Sequence, residues 1–459
     1  MGCQQSSIDE PHQVVIVGAS FGGNGVIKGL LDEHDGESLP PTLHVTMLDE
    51  KEDFAISATN QFVWSNRLSS TDNQVPSWPL SKLIAQKVAH SFRTGEAGTV
   101  MELDWEGKQL KMKDGSSVKW DTLVLSPGVV SDPSSIPGLE ESSAIDVAAK
   151  KDVESMKKEV KVLSNGPWVP KRVALIAVTR MPYKCPPLPF ELASLLHNVL
   201  EKAGEDVRSG VRIILSVPGE FPFGGPPIKE KFCALLKEMN IEFWTNHVIK
   251  SVEHEEVSDN DGDSVTASDV EDSHTGSFTI NFEVGEEKEE KSLEADVFFC
   301  TFPQRAPDFV QKAEVCNKIG LIPVDLQTNS IEGRENAYAI GDACHTVFPK
   351  PNKPHPKAGE FAYLMGLQVA KQIMAQQKGE PGPEPQKRKG KCVAEVGIKG
   401  NGVNVEPDFS SVLANPQEEA PKFNFSEVGG AASAKEVWVN SYLERFYGKE
   451  NYETFVVDE

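Results

Sequence analysis

The run HQVVIVGASFGGNGVIKGLL (residues 12–31) limits what this chain can become more than any other segment. Val14 to Val17 read as a strand buried on both faces, and the next residues break it with Gly18-Ala19-Ser20-Phe21-Gly22-Gly23 before an apolar helix begins. This is a G-x-G-x-x-G pattern with Ser20 at the middle glycine position. Gly18 permits the tight turn, and Gly23 permits close packing of helix on strand. Ser20 is small enough for the backbone to approach a pyrophosphate seated on the helix N-terminus. Gly18, Ser20, Gly22 and Gly23 are therefore candidate cofactor contacts. The next strand, LHVTMLDE (residues 43–50), ends in two acids. Asp49 directly follows the apolar run and is the candidate for the ribose hydroxyls of a dinucleotide. The longer than usual spacing is explained by a loop insertion, DEHDGESLPP (residues 32–41).

At 459 residues the chain exceeds what one core supports, so several domains are expected. Its net charge of −23 argues against a nucleic-acid partner, which would need a basic stripe to displace counterions. No apolar run approaches the ~20 residues of a membrane span. Seven cysteines without CxxC or zinc-finger spacing fit neither a secreted disulfide scaffold nor a structural metal site. Cys233 and Cys300 read as small buried hydrophobes. The leader MGCQQSS matches an N-myristoylation pattern at Gly2, with Cys3 beside it as a palmitoylation candidate. Without a signal-peptide core, the expected location is cytoplasmic, with peripheral membrane attachment through those acyl chains.

Two later segments repeat the strand-then-small-turn design. KWDTLVLSPGVVSD (residues 119–132) turns at Ser126-Pro127-Gly128, and NAYAIGDACHT (residues 336–346) ends its strand at Gly341-Asp342. Together with the opening motif, in this order, they resemble the FAD-binding half of the two-dinucleotide-domain flavoproteins. That resemblance implies FAD as cofactor, contacts from Ser126, Gly128 and Gly341, and Asp342 at the ribityl and pyrophosphate region. Between them, KRVALIAV (residues 171–178) and VRIILSVPG (residues 211–219) read as the first strands of a second such domain. The glycine turn expected after the first of these is replaced by Thr179-Arg180 and then MPYKCPPLPFE (residues 181–191). Prolines and a tyrosine cannot cradle a pyrophosphate, so a nicotinamide nucleotide site is not expected. The acidic stretch over residues 251–294 reads as a solvated hairpin excursion.

The loop around Cys185 resembles that of sulfide:quinone oxidoreductases and flavocytochrome c sulfide dehydrogenases. So do Pro356-Lys357-Ala358-Gly359 at a helix start, Cys392 followed by Glu395 and Gly397, and an aromatic C-terminal helix. The resemblance implies a redox pair formed by Cys185 and Cys392 near the flavin, with a quinone or cytochrome as electron acceptor. Lys357 is expected near the flavin's pyrimidine edge. Lys184 and the helix N-terminus after the loop are expected to stabilise a Cys185 thiolate, and Glu191 to act as a local acid or base. Cys344 is left out of the pair. The loop over residues 126–141 lacks the third cysteine usual in the quinone-type enzymes, which puts the pattern nearer the flavocytochrome type.

The expected fold is α/β: two Rossmann-like dinucleotide-binding domains with a small C-terminal α+β unit. The first domain takes residues 11–148 and 299–378, the second 149–298, and the C-terminal unit 379–459. In the helix over residues 359–378, Phe361, Leu364, Met365 and Val369 should share a buried face, and in the C-terminal helix Val437, Tyr442, Leu443 and Phe446 should pack. The leading activity is oxidation of sulfide or a related small sulfur compound. An NAD(P)H:quinone reductase of the type-II or apoptosis-inducing-factor-like kind is the enzymatic alternative, and a non-catalytic flavin-bearing sensor or scaffold the other. A homodimer is the assembly carried forward. On the acylated reading, intact mass of protein expressed in a eukaryotic host should exceed the sequence mass by the acyl groups, and an unmodified Gly2 and Cys3 would exclude it.

Overall fold

The computed structural model describes residues 10–68, 74–220, 226–256, 276–350, 352–398, 400–449 and 451–458. Gly2, Cys3 and the middle of the acidic stretch lie outside the described residues. Two five-stranded parallel sheets organise the chain. In the first, the order is Ala337–Ala339, Thr122–Leu125, His12–Val17, Leu43–Leu48 and Ser91–Arg93. In the second it is Ile145–Asp146, Val297–Thr301, Arg172–Val178, Val211–Ser216 and Ile241–Trp244. The central strands carry continuous Val, Ile and Leu because both faces of each parallel sheet are covered. Val14, Val15 and Ile16 are accordingly buried, as are Leu175, Ile176 and Ala177. The fold is α/β throughout the core, with the first sheet assembled from both ends of the chain around the second.

Register decides where the turns meet. Val14 lies between Val45 on one side and Thr122 on the other, which brings Gly18 alongside Ser126. Gly18 has φ +105°, and a Cβ there would run into the Ser126 carbonyl. At Gly23 a Cβ would strike the carbonyl of Gly18, so the helix Phe21–Asp32 can lie this close to its strand only with glycine. Gly341, φ +72°, closes the third turn beside the same point.

Smaller antiparallel sheets decorate this frame. The acidic stretch forms strands His247–Glu256, Gly276–Val284 and Glu289–Ala295, whose buried Val252, Phe278, Ile280 and Phe282 cover one face of the second sheet's core. It is therefore packed sheet at its base rather than a wholly solvated excursion. In the C-terminal unit Gly402–Asp408 pairs with Cys392–Ala394 on one side and Lys422–Val428 on the other, and the chain then forms the helix Ala431–Tyr447. Tyr442, Leu443 and Phe446 are buried as expected, but Val437 is 69% exposed. One helical face cannot hold both Val437 and Tyr442; the buried stripe instead runs through Lys435, Val439, Tyr442, Leu443 and Phe446. In the helix Gly359–Lys378, Phe361, Met365 and Val369 are buried and Leu364 is half-buried. Cys300 is buried, whereas Cys233 is half-buried. Among the described residues no helix is long and apolar enough to cross a membrane.

The Gly18 geometry makes a direct prediction. Gly18→Val should lower stability by roughly 2–4 kcal/mol in urea unfolding, from backbone strain plus the collision with Ser126.

Candidate active site

A cavity of about 1650 Å³ runs along the C-terminal edge of the first sheet and reaches the second. Gly18, Ser20, Gly22, Asp49, Ser126, Gly128, Gly341, Asp342 and Lys357 line it, together with Lys184, Cys185, Glu191 and Cys392. Gly23 does not; it is the third residue of the helix, against the strand. At the head of the cavity, Ser20 caps the helix without a side-chain hydrogen bond, so the first helical N–H groups remain free to meet an anion. The Asp49 carboxylate accepts the Ala19 N–H at 2.7 Å and the Lys51 N–H at 2.9 Å. It thereby fixes the turn, and its remaining lone pairs can still take ribose hydroxyls. These features fit a dinucleotide with its pyrophosphate at the glycine turn.

The loop carrying Cys185 follows the strand Arg172–Val178 and is docked at the cavity by backbone bonds. Lys184 bridges to Lys357 in parallel fashion, and the Cys185 N–H donates to the Lys357 carbonyl at 3.0 Å. The Lys184 N–H donates to Gln304 Oε1, also at 3.0 Å. Cys185 has φ +57°, a left-handed conformation costly for a residue with a Cβ. The helix Leu188–Ala203 starts just beyond, with Glu191 in its first turn. Cys392 enters from the C-terminal unit as the first residue of an edge strand, paired with Val405. Both cysteines are free thiols, half-exposed to the cavity.

At the same cavity, lined also by Glu191 and Lys435, the structure brings together charges that the sequence reading did not assemble. Glu191 and Glu395 are each 1% exposed, and Lys435 is 3% exposed. Glu191 Oε1 accepts the Lys435 ammonium in direct contact and the Glu395 N–H at 2.9 Å. Lys435 also donates to Gln61 Oε1 at 3.2 Å, and Gln61 Nε2 donates to Glu395 at 3.3 Å. Arg67 grips the Glu395 carboxylate with two bonds of 2.6 and 2.9 Å. Lys435, Arg67 and Gln61 were not singled out from sequence. The signal for Lys435 was available: it shares the helical face of Val439, Tyr442 and Phe446, where a lysine is buried only if paired. Arg67 and Gln61 carry no such pattern.

This network changes the expected electrostatics. Burial, with the Glu191 carboxylate as the next cause, pushes the Cys185 thiol up to about 12, against the opposing pull of Lys435 and Lys184. The Cys392 thiol is likewise raised by burial, by Cys185 and by Glu191. The helix terminus was expected to favour a thiolate; the acid in that helix's own first turn works the other way. Lys357 is buried, and its ammonium donates to the Cys344 carbonyl. Cys344 lies behind the Gly341 turn, its Sγ 3.2 Å from the Gly341 carbonyl, and does not line the cavity.

Aromatic packing closes the near end. Phe21 of the glycine turn meets Tyr442 at 4.8 Å and Phe446 at 5.4 Å between ring centroids, and stacks on Trp438 at 6.2 Å. The C-terminal helix is thus clamped to the dinucleotide turn, with Trp438 in the cavity wall.

No family model matches the chain. Its fold is that of the two-dinucleotide-domain flavoprotein oxidoreductases. Among solved structures, the sulfide:quinone oxidoreductase from Aquifex aeolicus superposes with a TM-score of 0.71 at 17% identity, over 95% of this chain and 91% of that one. NDH2 from Plasmodium falciparum gives a TM-score of 0.63 at 12% identity, over 96% and 100% of the two chains. An NAD-dependent persulfide reductase from A. fulgidus gives 0.54 at 15%, over 86% of this chain and 64% of that one.

The buried charges are testable through stability. Arg67→Met leaves Glu395 buried beside Glu191 with one cation fewer, and should cost roughly 3–5 kcal/mol in equilibrium unfolding.

Proposed function

We propose that this chain is an FAD-dependent oxidoreductase that oxidises sulfide or a related small sulfur compound through Cys185 and Cys392 and passes the electrons to a quinone or cytochrome. The observation that carries this reading is that two cysteines far apart in sequence line one cavity with the three turns suited to a dinucleotide. FAD held there by Gly18, Ser20, Asp49, Ser126 and Asp342 would supply a two-electron acceptor able to release electrons singly or in pairs. The protein's own part begins with the oxidised pair. Hydrosulfide attacks the Cys185–Cys392 disulfide, a new S–S bond forms as the old one breaks, and one cysteine becomes a persulfide while the other leaves as thiolate. Lys184 attracts the incoming anion, and the Pro186-Pro187 turn with the paired Lys184–Lys357 backbone holds Cys185 in place. The likeness to the Aquifex sulfide:quinone oxidoreductase supports the same substrate class.

A second reading, an NADH:quinone reductase, draws on the likeness to the Plasmodium NDH2. The prolines at positions 182, 186, 187 and 189, where a nucleotide turn would stand, speak against it. Anaerobic mixing separates the two. Sulfide should bleach the flavin band near ~450 nm and NADH should not. Cys185→Ser should slow bleaching by sulfide at least ~100-fold. Rapid bleaching by NADH, or unchanged sulfide kinetics in the variant, would overturn the proposal.

A further inference from the structure

Arg388 is fully buried, and among the described residues no carboxylate pairs with it. Its one side-chain hydrogen bond runs from Nη2 to Asn329 Oδ1 at 3.2 Å. Nε and Nη1 of the guanidinium meet no acceptor, and neither does Nδ2 of Asn329, which is also fully buried. Burial lowers the guanidinium only to about 10, so it stays charged at neutral pH. The ionisable groups nearby supply no anion. The Cys344 thiol donates to the Gly341 carbonyl at 3.2 Å, and Lys357 is a second buried cation, turned to the Cys344 carbonyl. His355 donates Nδ1–H to the Pro356 carbonyl at 3.0 Å, and burial together with Arg388 keeps its imidazole neutral. A buried cation left alone is strongly unfavourable, and arginine cannot shed its proton to escape the penalty. Neither Arg388 nor Asn329 lines the cavity of the candidate active site.

We propose that Arg388 and Asn329 form a buried binding site for a small monovalent anion of the halide class, with Nε and Nη1 of the guanidinium and Nδ2 of the amide as its donors. The 3.2 Å bond between the two side chains keeps these N–H groups in one neighbourhood. A water oxygen could accept from the same groups, but it would leave the guanidinium without a counter-charge. The setting favours a small ion over a polyatomic one. Phe409 donates its N–H to the Arg388 carbonyl at 2.8 Å, which sets the apolar cluster of Leu326, Phe348, Phe361 and Phe409 alongside this segment, with little to satisfy extra oxygens. The site also joins two segments that serve the cavity. The Asn329 carbonyl accepts the Ala339 N–H at 3.1 Å, on the strand leading to Gly341-Asp342. Arg388 stands shortly before Cys392 in the chain, and Gly390 between them donates to the Pro407 carbonyl at 2.9 Å. An anion held there ties the Asp342 turn to the strand that carries Cys392. The inference does not depend on the sulfur-oxidising reading.

The test compares thermal unfolding of the full-length protein in sodium chloride, sodium bromide and sodium gluconate at equal ionic strength, gluconate being too large for the site. The wild-type midpoint should rise with chloride or bromide and level off at least ~2 °C above its value in gluconate. An ion too tightly held to be exchanged gives no such rise; protein purified in gluconate should then release about one chloride per chain on denaturation, read by ion chromatography. Arg388→Met should lose both signals. Asn329→Gly keeps the left-handed backbone at φ +61° accessible, and should raise the halide concentration for half the effect at least ~5-fold, or release its chloride during purification. A wild type with one midpoint in all three salts and no released chloride holds water there, and the proposal is overturned. It is overturned equally if Arg388→Met keeps the wild-type response. If Arg388→Met does not fold, Asn329→Gly decides: a halide response and chloride retention equal to wild type would overturn the site.

Discussion

Two ion pairs buried side by side, Glu191 with Lys435 and Glu395 with Arg67, tie together the pieces of chain that make the cavity. Glu191 comes from the helix after the Cys185 loop, Arg67 from beyond the short helix Asn60–Trp64, Glu395 from the segment after Cys392, and Lys435 from the C-terminal helix. Charges removed from water repay their desolvation only when every partner is in place, and removing one leaves an uncompensated ion. The four segments therefore hold one another in a single arrangement, and Gln61, bonded to both pairs, joins them into a network. The positions of the two thiols follow, since each belongs to a segment anchored there.

The opposite wall depends on the absence of side chains. The Gly18 turn meets the Ser126 carbonyl so closely that no Cβ fits, and that contact lines up the three turns of the first sheet along one edge. Phe21, inside the same motif, then serves as the anvil for Trp438, Tyr442 and Phe446. The dinucleotide turn and the C-terminal helix are thus mechanically one unit, and Lys435 is carried on that helix, one turn before Trp438.

Much of this was readable along the chain. Local patterns carry their own structural meaning: an apolar strand ending in Gly18, the Ser126-Pro127-Gly128 turn, and Gly341-Asp342 each report a strand and its turn within a dozen residues. The Cys185 loop was conspicuous because prolines stand where glycines would be needed. Where the reading of sequence failed, the cause was long-range. A helix N-terminus beside Cys185 argued for a stabilised thiolate, but burial, and after it the Glu191 carboxylate in that same helix, push the thiol up against the opposing pull of Lys435 and Lys184. Val437 was assigned to the packed face, yet the face that meets Phe21 is rotated away from it. Lys357, by contrast, lines the cavity as one of the candidate cofactor contacts, and its ammonium donates to the carbonyl of Cys344 across the hairpin Val347–Phe348 and Lys353–Pro354.

By itself the sequence determined the α/β class and the three strand-then-small-residue turns, because each is decided by steric rules acting within a few residues. Glycine opens backbone conformations, proline closes them, and an unbroken run of β-branched residues must be covered on both sides. Only the tertiary structure decided which groups share the low-dielectric space beneath Cys185 and Cys392. Arg67, Glu191, Glu395 and Lys435 are ordinary charged residues in sequence, and their energies depend on distances between distant segments. A carboxylate's effect on a thiol is set by separation and by exclusion of water, neither of which is written in the order of the residues.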